Sequence, residues 1–251
     1  MIRALFTLLL AVTSAACAPK PVVDEAALER IRNALVQADR IEWDKPFDAS
    51  RQPVEYMRFF GVATGMTVLD LGAAAGYTTE IMAAAVGPQG RVYAQIDDQV
   101  LRLQNGFYER TLQKRIGPDG SRRSNIQWWH HELNDLELSD LDLVHWGFNL
   151  HDHYHSRGED YVQEILQGVH LALKPMGILA VSDHIGIAGN DNRKLHRITV
   201  DELRNQLEKA GFRIEEQSPL LANPNDDHSL NVFADEIYRK TDRVLIRAVK
   251  I

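Results

Sequence analysis

The chain has 251 residues, of which 45% are hydrophobic and 25% are charged, and its formal net charge is −7 at neutral pH. This length and composition are typical of one large globular domain. A nucleic-acid-binding surface needs an excess of Lys and Arg, which this acidic chain lacks, so we predict no nucleic-acid partner.

The first 17 residues have the pattern of an export signal. Arg3 precedes an apolar segment over residues 4–12, which is too short to span a bilayer as a mature helix. The sequence Ser14-Ala15-Ala16-Cys17 resembles a bacterial lipobox, in which the cysteine is lipidated, although Ser14 stands where a lipobox usually has Leu. Cys17 is the only cysteine of the chain, so it has no internal disulfide partner.

These features predict a signal peptide over residues 1–17 and a linker over residues 18–24. They predict a lipid-anchored protein of the cell envelope, with membrane contact only through the lipidated Cys17. Two alternatives stay open. Ala16-Cys17-Ala18 also suits cleavage by the ordinary signal peptidase, which would release a soluble periplasmic protein, and a cytosolic start would retain the whole segment.

Beyond the linker, hydrophobic periodicity predicts a helical extension and then strands that alternate with helices. The extension, over residues 25–60, holds helices over residues 25–40 and 53–60. Strands are predicted over residues 66–71, 91–96, 125–129, 141–148, 178–183, 212–217 and 244–249, and further helices over residues 75–86, 98–115, 157–173 and 199–210. The alternation predicts a single α/β domain over residues 25–251, with a mostly parallel sheet and right-handed crossovers.

A turn rich in small residues joins the first predicted strand to the next helix. It fails as a dinucleotide fingerprint, G-x-G-x-x-G, because the second and third glycine positions hold Ala74 and Tyr77, and no P-loop motif occurs. The pattern that fits is D-x-G-x-x-x-G, from Asp70 to Gly76. It resembles the first motif of class I S-adenosylmethionine (SAM) methyltransferases, [DE]-x-G-x-G-x-G, with Ala74 in place of the middle glycine.

This resemblance implies SAM as the cofactor. It also implies a doubly wound, mostly parallel seven-stranded sheet whose last strand is antiparallel. Asp70 would accept from the ammonium group of SAM, and the small residues would let the backbone approach its amino-acid part. The other members of this cofactor-binding set are Gly72, Ala73, Gly76 and Tyr77.

Over residues 40–249 the chain also resembles a family of bacterial predicted SAM-dependent methyltransferases of unassigned substrate. The resemblance depends on ordered short blocks rather than on any one motif. The blocks are residues 51–53 with Glu55, 59–62, Gly65, 72–77, 93–95, 149–152, 183–184, 195–198, 227–229 and 241–243. It implies a fold and a cofactor class, and it does not imply a known substrate.

In this fold the second strand ends in an acid that binds the ribose hydroxyls of SAM. Asp97 supplies the carboxylate if the strand is one residue longer, and Gln95 offers a weaker contact if it is not, while helix N-capping is the alternative role for Asp97. After the third strand, Trp129 could stack on the adenine and Glu132 could accept from its amino group, with core packing as the alternative for Trp129. Asn149, after the fourth strand, completes the predicted cofactor contacts.

The loop predicted after the fourth strand carries the candidate catalytic residues. His151 is predicted to take a proton from an acceptor oxygen or nitrogen, and Asp152 to orient it. The alternate histidines of residues 151–155 would also permit metal ligation on an extended segment. Because no acidic cluster supports such a site at the expected positions, we predict no metal.

Polar residues after the fifth strand are expected to face the same edge of the sheet and to bind the acceptor. These candidates are Asp183, His184, His196 and Arg197, of which Arg197 suits a carboxylate or a phosphate. A long polar segment over residues 219–242 is a candidate lid.

The sequence therefore predicts a SAM-dependent methyltransferase that acts on an unidentified small molecule. SAM is made in the cytosol, whereas an exported chain would meet little of it. The alternative is an envelope-anchored small-molecule-binding protein or a catalytically inactive relative. The sequence indicates neither the acceptor atom nor the oligomeric state.

Overall fold

The computed structural model describes residues 23–117 and 122–251. The predicted signal peptide, Cys17 and most of the predicted linker lie outside these residues. Within the described ranges, no helix is both long enough and apolar enough to cross a bilayer.

Strands and helices alternate along most of the described chain. The strands are β1 (Thr67–Leu71), β2 (Arg91–Gln95), β3 (Ile126–Trp129), β4 (Leu141–Gly147), β5 (Leu173–His184), β6 (Phe212–Ser218) and β7 (Arg243–Lys250). The helices are α1 (Glu25–Leu35), α2 (Lys45–Arg51), α3 (Pro53–Phe60), α4 (Tyr77–Val86), α5 (Asp98–Ile116), α6 (Leu150–Arg157), α7 (Glu159–Ala172), α8 (Asn192–Leu195) and α9 (Val200–Lys209). A 3-10 turn, Glu42–Asp44, precedes α2.

The strands form one seven-stranded sheet in the order β3-β2-β1-β4-β5-β7-β6. Strands β1 to β5 are parallel, whereas β7 is antiparallel to both of its neighbours, β5 and β6. The predicted α/β fold with an antiparallel last strand is thus confirmed. The strand order reverses between β1 and β4, and doubly wound folds bind ligands in the crevice at the carboxyl ends of such strands.

Apolar side chains cover both faces of the sheet, because buried strands point successive side chains into two hydrophobic layers. Val68 of β1 packs in the layer that contains α1, α3 and α4, and its neighbour Leu69 packs in the layer that contains α7 and α9. Both side chains are fully buried. Burial of one such side chain stabilises the fold by roughly 1.5–3 kcal/mol, so the two layers hold the strand ends firmly in place.

Two element boundaries differ from the predicted ones, and the contacts and backbone angles of the structure explain the differences. The first helix ends at Leu35 instead of continuing to residue 40, and the chain then turns so that the buried Arg40 pairs with Asp48 of α2. The fifth strand was predicted to begin at residue 178 but begins at Leu173, and within this added part Met176 has a φ of +63° and the pairing with β4 shifts register.

The segment between β4 and β5 is the main departure from the predicted elements. A loop and one long helix were expected, whereas the chain forms α6 and α7, separated by Gly158 with a φ of +91°. Helix α6 buries only Leu150 and His151, so hydrophobic periodicity does not reveal it. On this helix His151 and His155 lie on one side and His153 on another, so the three histidines do not share one face as they would on an extended segment.

A buried ion network ties α5 to the turn over residues 72–76, called the glycine turn below. Arg115 donates to both carboxylate oxygens of Asp44, at 2.6 and 2.8 Å, and to Glu80 at 2.7 Å. Its Nε donates to the backbone carbonyl oxygen of Ala75, inside the glycine turn, at 2.5 Å. Burial acts to raise the pKa of Glu80, but Arg115 and Arg122 lower it below its ordinary value.

We predict that Arg115→Leu destabilises the fold by roughly 3–5 kcal/mol, because Asp44 and Glu80 would keep buried charges without this partner. Denaturant unfolding of the purified protein measures the difference. The matched control is Arg32→Leu: Arg32 is 44% exposed and pairs with surface glutamates, where an ion pair contributes about 0–1 kcal/mol. Equal losses in the two variants would contradict the role assigned to Arg115.

Candidate active site

A cavity of about 300 Å³ opens at the carboxyl ends of β1 and β4, where the strand order reverses. The glycine turn, the end of α2, the end of β5 and part of the segment over residues 232–243 line it. A second depression, of about 770 Å³, lies beside α8 and the start of α9, but it is shallower and includes neither the glycine turn nor the end of β1. The smaller cavity is therefore the candidate site.

The glycine turn brings backbone without large side chains to the floor of this cavity. Gly72 and Gly76 have φ angles of +68° and +77°, which favour glycine. A Cβ atom on Gly72 would lie 2.5 Å from the side-chain nitrogen of Asn149, so no larger residue fits there without a shift. Ala74, at the position of the motif's middle glycine, has a φ of +48° and keeps the left-handed conformation at some cost in strain.

Gln95, at the end of β2, supports the glycine turn from behind. Its Oε1 accepts from the backbone N–H of Gly72 at 2.8 Å, and its Nε2 donates to the carbonyl oxygen of His131 at 2.6 Å. Gln95 is fully buried and lies outside the cavity lining. Both polar ends of its amide are therefore occupied in shaping the turn.

Asp97 and Glu132 also lie outside the cavity lining. Asp97 caps α5 by accepting from the backbone N–H of Val100 at 2.8 Å, which is the alternative role that the sequence left open. Glu132 is exposed, and Trp129 stacks on His131 with ring centres 4.5 Å apart. The structure thus does not bring the residues expected at the ribose and adenine of SAM into this cavity.

Asp70 is the centre of a buried hydrogen-bond network at the cavity floor. It accepts from Thr79 Oγ1 at 2.5 Å and lies 2.8 Å from His145 Nδ1. Because a carboxylate only accepts, His145 Nδ1 carries a proton and donates to Asp70, while His145 Nε2 lies 2.7 Å from the Tyr56 hydroxyl oxygen. Tyr56 also contacts Ser182 Oγ, at 2.6 Å. The two oxygens of Asp70 offer about four acceptor positions, so some stay available to a ligand.

Asp183, at the end of β5, orients His151. Its Oδ1 lies 2.6 Å from His151 Nδ1, and its Oδ2 accepts from the backbone N–H of His151 at 2.9 Å. Both side chains are buried, with 2% exposure for His151 and 0% for Asp183. His151 Nε2 lies 3.2 Å from Asp152 Oδ1 without hydrogen-bond alignment, and that oxygen accepts instead from His196 Nδ1 at 2.7 Å. Asp152 is therefore a neighbour of His151, while Asp183 fixes its ring.

Neighbouring charges give two adjacent histidines opposite protonation states. Burial acts to lower the pKa of His151, but the carboxylates of Asp183 and Asp152 raise it to about 10. The ring centre of His184 is 5.8 Å from that of His151, and burial together with the charges of His151 and Arg243 holds the pKa of His184 well below 6.5. At neutral pH His151 is an imidazolium and His184 is neutral. The stability contributed by protonated His151 is complete below pH 6.5 and is lost as the pH rises through about 10.

Of the residues predicted to bind the acceptor, His184 lines the cavity, whereas His196 and Arg197 lie outside its lining. Arg197 is fully buried and pairs with Asp226 at 2.8 Å. It also donates to backbone carbonyl oxygens of residues 185 and 230, so its donors are engaged inside the fold.

Within the described ranges, one group of histidine and acidic side chains places its ligand atoms within 4.8 Å of one another: His151, Asp152 and His196. The contacts given above already join these three residues, and structural zinc sites take four ligands. His155 is directed elsewhere, with Nε2 2.8 Å from the carbonyl oxygen of Arg197. The expectation that the site needs no metal stays a prediction.

The candidate lid, residues 219–242, contains neither a helix nor a strand. It is anchored to the domain through the pairing of Asp226 with Arg197 and through the backbone N–H of Val232, which donates to Leu195. It lines the cavity with Val232, Phe233, Tyr238 and Arg239.

Several cavity residues had no predicted role. Three of them are Arg51, Arg239 and Arg243. Arg51 and Arg243 stand within the short blocks of family resemblance, which was the signal available for them. His145, which lines the cavity, and Tyr56, which contacts His145 behind the lining, gave no signal, because a tyrosine in an amphipathic helix and a histidine in a buried strand are ordinarily core residues.

Comparison with protein-family models gives no match, and comparison with curated proteins gives none either. Solved structures match over most of the chain. A SAM-dependent methyltransferase from Aquifex aeolicus superposes with a TM-score of 0.59 at 19% identity, over 89% of this chain and 98% of that one. Fibrillarin from Aeropyrum pernix, solved with natively bound S-adenosyl-L-methionine, gives a TM-score of 0.52 at 18% identity, over 81% of this chain and 76% of that one.

A third structural neighbour, the [4+2]-cyclase SpnF, has a TM-score of 0.55 at 15% identity, over 90% of this chain and 93% of that one. At identities this low, likeness establishes the fold alone. The chain has the Rossmann-like fold seen in SAM-dependent methyltransferases.

Proposed function

We propose that this chain is a SAM-dependent methyltransferase that transfers a methyl group to a small-molecule acceptor. One observation carries the proposal: the buried His151–Asp183 pair stands at the same cavity whose floor is the glycine turn. The shared fold supports it, since neighbours are described as SAM-dependent methyltransferases and one was solved with SAM bound.

The cavity floor fits the amino-acid part of SAM. Gly72 offers backbone without a side chain, and Asp70 keeps acceptor positions for an ammonium group. Arg51 lies over the ring of Tyr77, next to the glycine turn, and suits the carboxylate. SAM, when bound, supplies a methyl group on a sulfonium that is already an activated leaving group. The protein then has mainly to align donor and acceptor, and alignment can supply roughly 7–11 kcal/mol of the barrier.

His151 holds the proton that the acceptor gives up. Asp183 fixes the ring through Nδ1. Among the described residues Nε2 has no aligned hydrogen-bond partner, with Asp152 Oδ1 as its neighbour at 3.2 Å, so Nε2 is the atom left for the acceptor. Two bound states contain the same total number of protons. In one, an anionic acceptor lies against protonated His151, and in the other, a neutral acceptor lies against neutral His151. The raised pKa of His151 therefore favours acceptors that lose their proton on binding.

A second function, small-molecule binding without methyl transfer, is favoured by the positions of Gln95 and Asp97. Both candidates for the ribose contact lie outside the cavity lining and are engaged in the fold. A fold of this kind also supports other chemistry, since one neighbour is described as a cyclase. An assay of methyl transfer distinguishes the two functions. Transfer from SAM to an acceptor indicates a methyltransferase, whereas SAM binding without transfer indicates a binding protein.

For SAM binding, we predict that calorimetry on residues 19–251 detects SAM or S-adenosylhomocysteine, and that Gly72→Ala weakens binding by more than about tenfold, roughly 1.4 kcal/mol. The reason is that the new Cβ would displace Asn149 at the cavity floor. Gly65→Ala is the matched control, since Gly65 also has a positive φ, +80°, but has open space around it. Failure of the wild-type protein to bind either ligand at millimolar concentration would contradict the proposal.

For His151, we predict that NMR titration of its ring gives a pKa of about 10, so the neutral, proton-accepting form grows as the pH rises toward that value. Asp183→Asn should lower this pKa, because the main charge that stabilises the imidazolium is removed. Asp201→Asn, an exposed change on α9, serves as the control and should leave the titration unchanged. A His151 titration near 6.5 in the wild-type protein would refute this electrostatic description.

We further propose that the chain is anchored in the cell envelope through a lipid on Cys17, which is the only cysteine. Cys17→Ala should then move the protein from the membrane fraction to the soluble fraction. Ser14→Leu, which restores the usual lipobox residue, should leave it in the membrane fraction. Retention of the Cys17→Ala variant in the membrane fraction would exclude this anchor.

A further inference from the structure

The candidate cavity has an excess of positive charge. Three arginines line it, Arg51, Arg239 and Arg243, whereas Asp70 is the one carboxylate among the described lining residues. Asp70 is buried and already takes part in two hydrogen bonds. Because the chain as a whole has a net charge of −7, this excess of cations is a local feature and not a result of composition.

None of these three arginines forms an ion pair with another described residue. Buried arginines elsewhere in the described chain do have carboxylate partners. These are Arg40 with Asp48, Arg115 with Asp44, Arg197 with Asp226, and Arg247 with Glu215. Since burial of an unpaired charge costs free energy, the buried Arg243, with the half-buried Arg51 and Arg239 beside it in the lining, indicates that the anion arrives as a ligand.

Aromatic rings hold two of the guanidinium groups in place. Arg239 lies over the ring of Phe47 at 4.4 Å and that of Tyr238 at 4.9 Å. Arg51 lies over Phe47 and Tyr77, at 4.8 Å each. Stacking uses the faces of these guanidinium groups and leaves their N–H edges for an anion.

Arg243 is the most deeply buried of the three, with 8% exposure. It is the first residue of β7 and pairs in register with His184 of β5, so it lies beside the end of β5. Its Nε donates to the carbonyl oxygen of Thr241 at 3.1 Å, which leaves its two terminal nitrogens without a described partner. Burial and the charge of Arg51 lower the pKa of Arg243 to about 10, as expected for a cation that lacks its counter-anion.

The three arginines come from two parts of the chain, although Arg51 and Arg239 both lie over the ring of Phe47. Arg51 ends α2 and stacks on Tyr77, the first residue after the glycine turn, so we assign it to the carboxylate of SAM. Arg239 and Arg243 come from the segment before β7 and from β7 itself, and Arg243 pairs in register with His184 at the end of β5. We assign these two arginines to the acceptor.

We infer that the acceptor is an aromatic carboxylic acid. Its carboxylate is bound by Arg239 and Arg243, and its ring packs among Phe47, Phe233 and Tyr238. The inference rests on the proposed function, since it names the class of molecule that the methyltransferase would accept. The requirement for a carboxylate follows from the unpaired arginines, and the requirement for a ring follows from the aromatic lining.

The experiment compares 4-hydroxybenzoate with 4-hydroxybenzamide, a neutral molecule of the same shape. Calorimetry at constant ionic strength is carried out on the protein saturated with S-adenosylhomocysteine, which occupies the cofactor side and its carboxylate site. We expect the acid to bind at least about tenfold more tightly than the amide. Arg243→Gln and Arg239→Gln should each remove most of this preference and leave the affinity for S-adenosylhomocysteine within about twofold of wild type.

Arg204→Gln is the control, because Arg204 lies on α9, outside the cavity lining. It should keep the full preference for the acid. Circular dichroism checks that each variant is folded. If the buried Arg243 cannot be replaced without unfolding, Arg239→Gln, at a half-buried position, carries the test alone.

Three results would overturn the inference: equal binding of acid and amide, binding of neither, or arginine variants that weaken S-adenosylhomocysteine instead of the acid. Each of them leaves SAM binding, and with it the proposed function, intact. Failure of the proposed function would give a different result. If S-adenosylhomocysteine does not bind but the acid still binds through Arg239 and Arg243, the proposed function fails and the anion site stands.

Discussion

The buried guanidinium of Arg115 is the constraint on which the rest of the site depends. It joins α5 to Asp44 of the N-terminal extension, to Glu80 of α4 and to the backbone of the glycine turn. A charge at this depth is tolerated only while its partners are present. The N-terminal extension is therefore tied to the floor of the cavity, because the same arginine contacts Asp44 of the extension and Ala75 of the glycine turn.

Above this floor, two carboxylates pair with histidines, whereas Arg51, Arg239 and Arg243 form no ion pair with a described residue. Asp70 is engaged with His145, and Asp183 is engaged with His151. Paired in this way, the acids hold the histidine rings in fixed orientations. The cavity lining thus holds three arginines and one carboxylate, even though the protein is acidic as a whole.

Local pattern was enough to predict the sheet and the cavity floor. Apolar runs bounded by turns located the strands, and the D-x-G-x-x-x-G spacing located residues that do line the cavity: Asp70, Gly72, Ala73, Gly76 and Tyr77. Features set by contacts distant in sequence were not predictable. Asp183 lies 32 positions from His151, and the two meet only because β4 and β5 are neighbours in the sheet. Helix α6 gave no periodic signal because it buries so little of its surface.

The antiparallel pairing of β7 has a consequence for how such a protein could diversify. The segment over residues 219–242 is held at both ends, by β6 before it and β7 after it, and it carries Phe233, Tyr238 and Arg239 on a single stretch of chain. The proton-holding pair, His151 and Asp183, lies on other elements. Exchange of this one segment during evolution would alter the lining of the cavity without touching the two residues that we propose for proton handling, so related chains could share a reaction and differ in what they act upon.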